Sequence, residues 1–194
     1  LTPMSIAVAD IDGGDLDLII SLQDNVNTIP DARVGVYSGN GDGTFQSYGY
    51  PQEGLLVGDV GTASMAVTAG DVDGDDDIDI IASDITASDN SLADVILYRN
   101  TGNNGSNQPV WALGETIASG QDLGYSPNSE LPPYYPPTIA SSLHAYGLAL
   151  GDLDGDTDLD LIVTDIASYL YIYQNNGSGL FSPIRYNNIS TGTR

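Results

Sequence analysis

The sequence predicts an all-β fold made of three repeats, each of four short antiparallel strands. Three observations predict it. The acid is nearly all Asp: only Glu53, Glu115 and Glu130 stand among 27 acidic residues, and Asp prefers turns where Glu favours helices. With 23 Gly and 10 Pro in 194 residues, the chain has material for many short turns. One phrase also occurs three times: A-V-A-D-I-D-G-G-D-L-D-L-I-I from Ala7, T-A-G-D-V-D-G-D-D-D-I-D-I-I from Thr68 and A-L-G-D-L-D-G-D-T-D-L-D-L-I from Ala149. Recurrence of this kind marks a repeat architecture.

Each phrase joins two strands. The first strand is Ser5–Ala9, Met65–Ala69 or Tyr146–Leu150, and the second is Leu18–Leu22, Ile78–Ala82 or Leu159–Val163. The second segments are rich in Ile, Val and Leu and too short for helices, so they read as buried strands. A third strand ends in Tyr in every unit: Val34–Tyr37, Val95–Tyr98 and Leu170–Tyr173. Gly/Asn turns follow, and Phe45 and Phe181 each come eight positions after the Tyr. Fourth strands are expected at Leu55–Val60, Trp111–Ala118 and Pro183–Asn187.

The units divide the chain into 1–61, 62–119 and 144–194, with a Pro/Tyr-rich insertion at 120–143 whose prolines disfavour central strands. Four short antiparallel strands repeated radially make a β-propeller blade. Three blades cannot close a ring. The expectation is therefore a partial propeller, either part of a longer chain or completed by other chains or copies through exposed blade edges. The start at Leu1 fits a processed protein or a piece of a longer one.

Charge narrows the function classes. A net charge of −23, with Arg33, Arg99, Arg185 and Arg194 as the only basic residues, would repel nucleic acid and anionic membranes. No apolar run is long enough for a membrane-spanning helix. The chain has no Cys, so it has neither disulfides nor thiolate metal sites.

The Asp loops carry the chemistry. In the third, Asp152, Asp154, Asp156, Asp158 and Asp160 alternate, with Gly155 at the fourth place. Calcium takes six to eight oxygens at about 2.3–2.6 Å. A tight loop can aim its first, third and fifth side chains and its seventh carbonyl at one centre, and a later carboxylate closes the shell. On this reading Asp152, Asp154, Asp156 and Asp160 ligate by side chain and Asp158 by its carbonyl. In the second loop Asp71, Asp73, Asp75 and Asp79 ligate by side chain and Asp77 by its carbonyl, with Asp76 an additional acid. The first loop is one residue short. Asp10 and Asp12 are in place, and Asp15 and Asp17 align with the seventh and ninth positions if a gap is allowed. Two well-formed Ca²⁺ sites and a third, altered one are expected. Magnesium is the lesser alternative, since it prefers fewer protein ligands and stricter geometry. The plain alternative is a set of solvated acidic turns, opposed by the repulsion that such crowding creates without a cation.

D-V-D-G-D-D-D-I-D and D-L-D-G-D-T-D-L-D resemble the calcium loop of FG-GAP/VCBS repeats, found in integrin α-subunit propellers and in many surface proteins. N-G-D-G-T-F at 40–45 is similar to the second signature of those repeats, and N-G-S-G-L-F at 176–181 is a variant of it. The resemblance implies an extracellular or cell-surface calcium-binding module that serves adhesion or assembly and is not an enzyme. Two alternatives stand beside it: a carbohydrate-binding propeller, and an accessory domain of a secreted polysaccharide-active enzyme. His144 reads as structural rather than catalytic. Asp84 and Asp165 read as strand-end residues. The segment 125–137 suits glycan or peptide contact or packing at an interface. Sequons at Asn104, Asn176 and Asn188 leave glycosylation open.

Overall fold

Strand boundaries follow the Asp loops. The computed structural model describes residues 2–23, 34–47, 64–85, 93–105, 108–112, 114–118, 145–165 and 169–188. The first sheet runs β1 (Thr2–Ala9), β2 (Asp17–Gln23), β3 (Val34–Gly39) and β4 (Phe45–Ser47), an antiparallel meander in chain order. In the second sheet β5 (Val67–Gly70), β6 (Asp79–Ile85) and β7 (Ala93–Tyr98) pair in turn. A small hairpin of β8 (Asn100–Asn103) and β9 (Pro109–Trp111) intervenes before β10 (Glu115–Ala118), which pairs with β7. The third sheet is β11 (Ala145–Gly151), β12 (Asp160–Asp165), β13 (Tyr169–Asn175) and β14 (Phe181–Asn188). All-β architecture and four-stranded antiparallel repeats are thus present, and among the described residues the sheets do not close into a barrel. No described helix is long and apolar enough to cross a membrane.

Of the expected fourth strands, Trp111–Ala118 is corrected. In the first sheet the fourth strand is Phe45–Ser47, while Leu55–Val60 lies outside the described residues. The turn that precedes it is tight: the Asn40 N–H donates to the Thr44 carbonyl at 3.0 Å, so pairing resumes at once at Phe45. Trp111–Ala118 is not one strand. Trp111 pairs with Asn100 in the small hairpin, and only Glu115–Ala118 joins the sheet. The Ala112 N–H donates to the Arg99 carbonyl at 2.9 Å and closes that hairpin separately. The third expectation, Pro183–Asn187, falls within β14. Asp84 and Asp165 lie at the ends of β6 and β12. His144 and the segment 125–137 lie outside the described residues.

Alternation along the second sheet builds two cores. Ile80, Ala82, Ile96 and Tyr98 face one way and pack with Ile11, Ile19, Val34 and Val36 of the first repeat. Ile81, Val95 and Leu97 face the other way and pack with Leu161, Val163 and Tyr173 of the third. A strand presents successive side chains to opposite faces, so a sheet sandwiched between two others must be apolar at both registers. That is why its strands read as continuous apolar runs. The sheets therefore stack in chain order, with β5 touching both β1 and β11. This stacking brings the first and second Asp loops against the repeat that follows each.

Candidate metal centre

Every loop organises itself through its first Asp. Asp10 Oδ1 accepts the N–H groups of Gly13 and Gly14, both at 2.8 Å. Asp71 accepts from Gly74 at 2.8 Å and Asp76 at 3.0 Å, and Asp152 from Gly155 at 2.7 Å and Thr157 at 3.2 Å. A short carboxylate that caps its own loop is typical Asp chemistry. The bend needs a left-handed residue at the fourth place, supplied by Gly13, Gly74 and Gly155 at φ +81°, +79° and +86°. Asp76 and Thr157, at the sixth place, are also left-handed, with φ of 69° and 80°. The first loop lacks this residue altogether, so the shortening removes one awkward backbone position and leaves the rest of the loop intact.

The ninth Asp is a buried latch. Asp17, Asp79 and Asp160 are each fully buried and begin the second strand of their sheet. One oxygen accepts the N–H of the loop's second residue: Ile11 at 2.8 Å, Val72 at 3.1 Å or Leu153 at 3.0 Å. The other accepts the N–H beyond the third strand's Tyr: Gly39 at 2.9 Å, Asn100 at 2.8 Å or Asn175 at 2.9 Å. Burial raises the Asp17 carboxyl above the ordinary range against the pull of these two N–H groups, with Asp12 and Asp10 adding to the rise. Burial likewise pushes Asp79 up to about 6. For both groups ionisation carries a cost of burial that a nearby positive charge would offset.

The structure brings together three carboxylates per loop. Asp10, Asp12 and Asp17 offer oxygens all within 4.8 Å of one another, as do Asp71, Asp73 and Asp79, and Asp152, Asp154 and Asp160. These are the first, third and ninth positions. Asp75 and Asp156, at the fifth, are exposed and stand outside these clusters, and Asp75 Oδ1 and Asp156 Oδ1 accept the N–H groups of Asp77 and Asp158 at 3.0 Å. The seventh-position side chains turn away. Asp15 and Asp158 lie so close to Gly41 and Gly177 that a Cβ there would come within 2.7 and 2.6 Å of a carboxylate oxygen, and Asp77 lies near Gly102. Asp15 and Asp17 therefore behave as the seventh and ninth residues of the shortened loop.

Sequence reasoning missed the donors that reach these loops from the third strand. The residue after the Tyr contacts the third-position Asp in every repeat. Ser38 Oγ donates to Asp12 Oδ2 over 3.5 Å, Arg99 Nη1 meets Asp73 Oδ2 at 2.6 Å, and Gln174 Nε2 donates to Asp154 Oδ2. The next residue spans two repeats. Asn100 Nδ2 donates to the Ile11 carbonyl at 3.3 Å and Asn175 Nδ2 to the Val72 carbonyl at 2.7 Å. Asn103 Nδ2 adds a bond to the Asp12 carbonyl at 2.9 Å. Aligning the three copies by their Tyr would have exposed the pairs Ser38-Gly39, Arg99-Asn100 and Gln174-Asn175 as matched positions.

One polar atom in the middle cluster is left over. Asp73 Oδ1 is buried and has no hydrogen-bond partner. An ionised oxygen in that condition is costly unless a cation meets it. Residues 130–194, which include the whole third loop, match the family model of the FG-GAP-like repeat. No curated protein matches the chain.

Proposed function

We propose, taking the FG-GAP-like repeat of residues 130–194 as premise, that this protein is a calcium-binding structural or adhesion module of the cell exterior and not an enzyme. The observation that carries the reading is the threefold recurrence of a carboxylate cluster with a buried ninth Asp. Asp10, Asp12 and Asp17, Asp71, Asp73 and Asp79, and Asp152, Asp154 and Asp160 would hold the ions. All-oxygen donor sets suit calcium, and the unpartnered Asp73 Oδ1 fits such a role in the middle cluster. A bound ion would supply positive charge that offsets the cost of burying ionised Asp17 and Asp79. The residues themselves fold the loop, latch it to the end of the third strand and present it to the next sheet. Millimolar calcium outside cells matches modules with dissociation constants of roughly 10⁻⁴–10⁻³ M.

Association with further blades, of a longer chain or of other copies, is part of the proposal. Ile11 and Val72, second in their loops, are 2% exposed because the following sheet covers them, whereas the matched Leu153 is 46% exposed. The third loop thus offers an apolar residue where the first two bury one. A carbohydrate-binding propeller is the alternative; the segment 125–137, read as suiting glycan or peptide contact or interface packing, lies outside the described residues. The test is thermal melting in excess calcium and in chelator. A rise of several degrees with calcium is expected, reduced when Asp152 and Asp154 are replaced by Asn. Identical melting in both conditions would refute the calcium reading.

A further inference from the structure

The three clusters share carboxylates but differ in the donor that reaches the third-position Asp. Ser38 and Gln174 are neutral, whereas Arg99 carries a full charge. Its seat is built from three sides. Asp73 Oδ2 takes Nη1 at 2.6 Å, Glu115 takes Nε at 2.9 Å, and the Gly179 carbonyl, in the third repeat, accepts Nη2 at 3.2 Å. Gly179 has φ +68°, and a Cβ there would lie 2.5 Å from Nη1, so only glycine leaves room for the guanidinium. Arg99 is 16% exposed while Glu115 is 51% exposed. The guanidinium is thus the better shielded charge, and solvent screens its carboxylate partner more effectively.

We propose that Arg99 sets the divalent-ion affinity of the Asp71–Asp73–Asp79 cluster and lowers it. This rests on the calcium reading above. Arg99 occupies Asp73 Oδ2 and leaves Oδ1 without a partner. An arriving ion therefore shares Asp73 with a fixed positive charge, and the two cations repel. Ser38 and Gln174, at the matched places in the flanking clusters, carry no charge and impose no such repulsion. The same guanidinium ties the loop to the third repeat, so the seam between the second and third sheets keeps a cationic link when calcium is scarce.

The experiment is calcium titration by calorimetry on the full chain. Asp12→Asn and Asp154→Asn silence the flanking clusters, and Arg99→Gln then places at the middle cluster the residue that the third repeat carries. Affinity there is expected to tighten about tenfold, the order of a screened charge–charge repulsion at close range. Gly179→Ala, which evicts the guanidinium without removing it, is expected to shift affinity the same way and serves if Arg99→Gln does not fold. An unchanged or weakened middle affinity in a variant with native circular dichroism overturns the proposal. If no cluster binds calcium in any variant, the calcium reading itself fails. If the flanking clusters bind and the middle one ignores both substitutions, only the role of Arg99 fails.

Discussion

Replacing Asp79 by Asn should cost little without calcium and much more with it. Asp79 is fully buried and accepts two N–H groups, from Val72 at 3.1 Å and Asn100 at 2.8 Å. Its carboxyl is raised from 3.8 to about 6. Two pKa units correspond to about 3 kcal/mol of folding free energy lost when the group ionises without a compensating cation. The sign follows from linkage: the folded state binds the proton more tightly, so this stability is present below pH 3.8 and lost as pH rises through about 6. An Asn escapes that loss but offers one acceptor oxygen instead of two. It leaves an N–H facing an amide NH₂, at about 1–3 kcal/mol. In chelator near pH 7.5 the two effects nearly cancel, and variant and parent should agree within roughly 1–2 kcal/mol. Calcium at about 100 times its dissociation constant stabilises the parent by about 2.7 kcal/mol per site. The variant forgoes this at the middle cluster, so a gap of about 3 kcal/mol should open. Urea unfolding followed by Trp111 fluorescence, with calcium and with chelator, near pH 5 and near pH 7.5, measures all four conditions. A gap of equal size with and without calcium, or identical pH slopes for the two proteins, refutes the reasoning.

The seams between repeats make further predictions. Asn175→Ala removes bonds to the Val72 and Leu159 carbonyls at 2.7 and 3.2 Å and an acceptor for the Asn176 N–H. It should destabilise by about 2–4 kcal/mol in urea unfolding. Asn100→Ala gives up a longer bond, 3.3 Å to the Ile11 carbonyl, and an acceptor for the Gly102 N–H at 3.2 Å, and should lose only about 1–2 kcal/mol; the reverse order would contradict the seam assignment. If the third loop packs on a further blade, Leu153→Asp should reduce self-association measured by light scattering while leaving circular dichroism unchanged. Equal molar mass for variant and parent across concentrations would count against that packing.

Much of the fold was legible because its signals are local. Each Asp loop joins two neighbouring strands of one hairpin, so apolar run, turn and apolar run appear in order along the chain. The same locality made the first, third and ninth Asp readable, even across the gap that aligns Asp17 with Asp79 and Asp160. Where the sequence misled, locality failed too. Trp111–Ala118 looks like one apolar strand, but the Asn100–Asn103 segment takes Trp111 into its own hairpin. Phe45 resumes pairing immediately after a tight turn, a matter of turn geometry rather than of pattern.

The sequence by itself determined that this chain is β, repetitive and charged in clusters, because strand alternation and turn chemistry act between residues a few places apart. Only the tertiary structure decided which side chains serve those clusters. Arg99 meets Gly179 across 80 residues, Asn100 meets Ile11 across 89, and Asn175 meets Val72 across 103. Such contacts depend on how far apart the sheets stack and how they are turned. Those quantities come from the packing of two apolar cores, and no single stretch of chain encodes them.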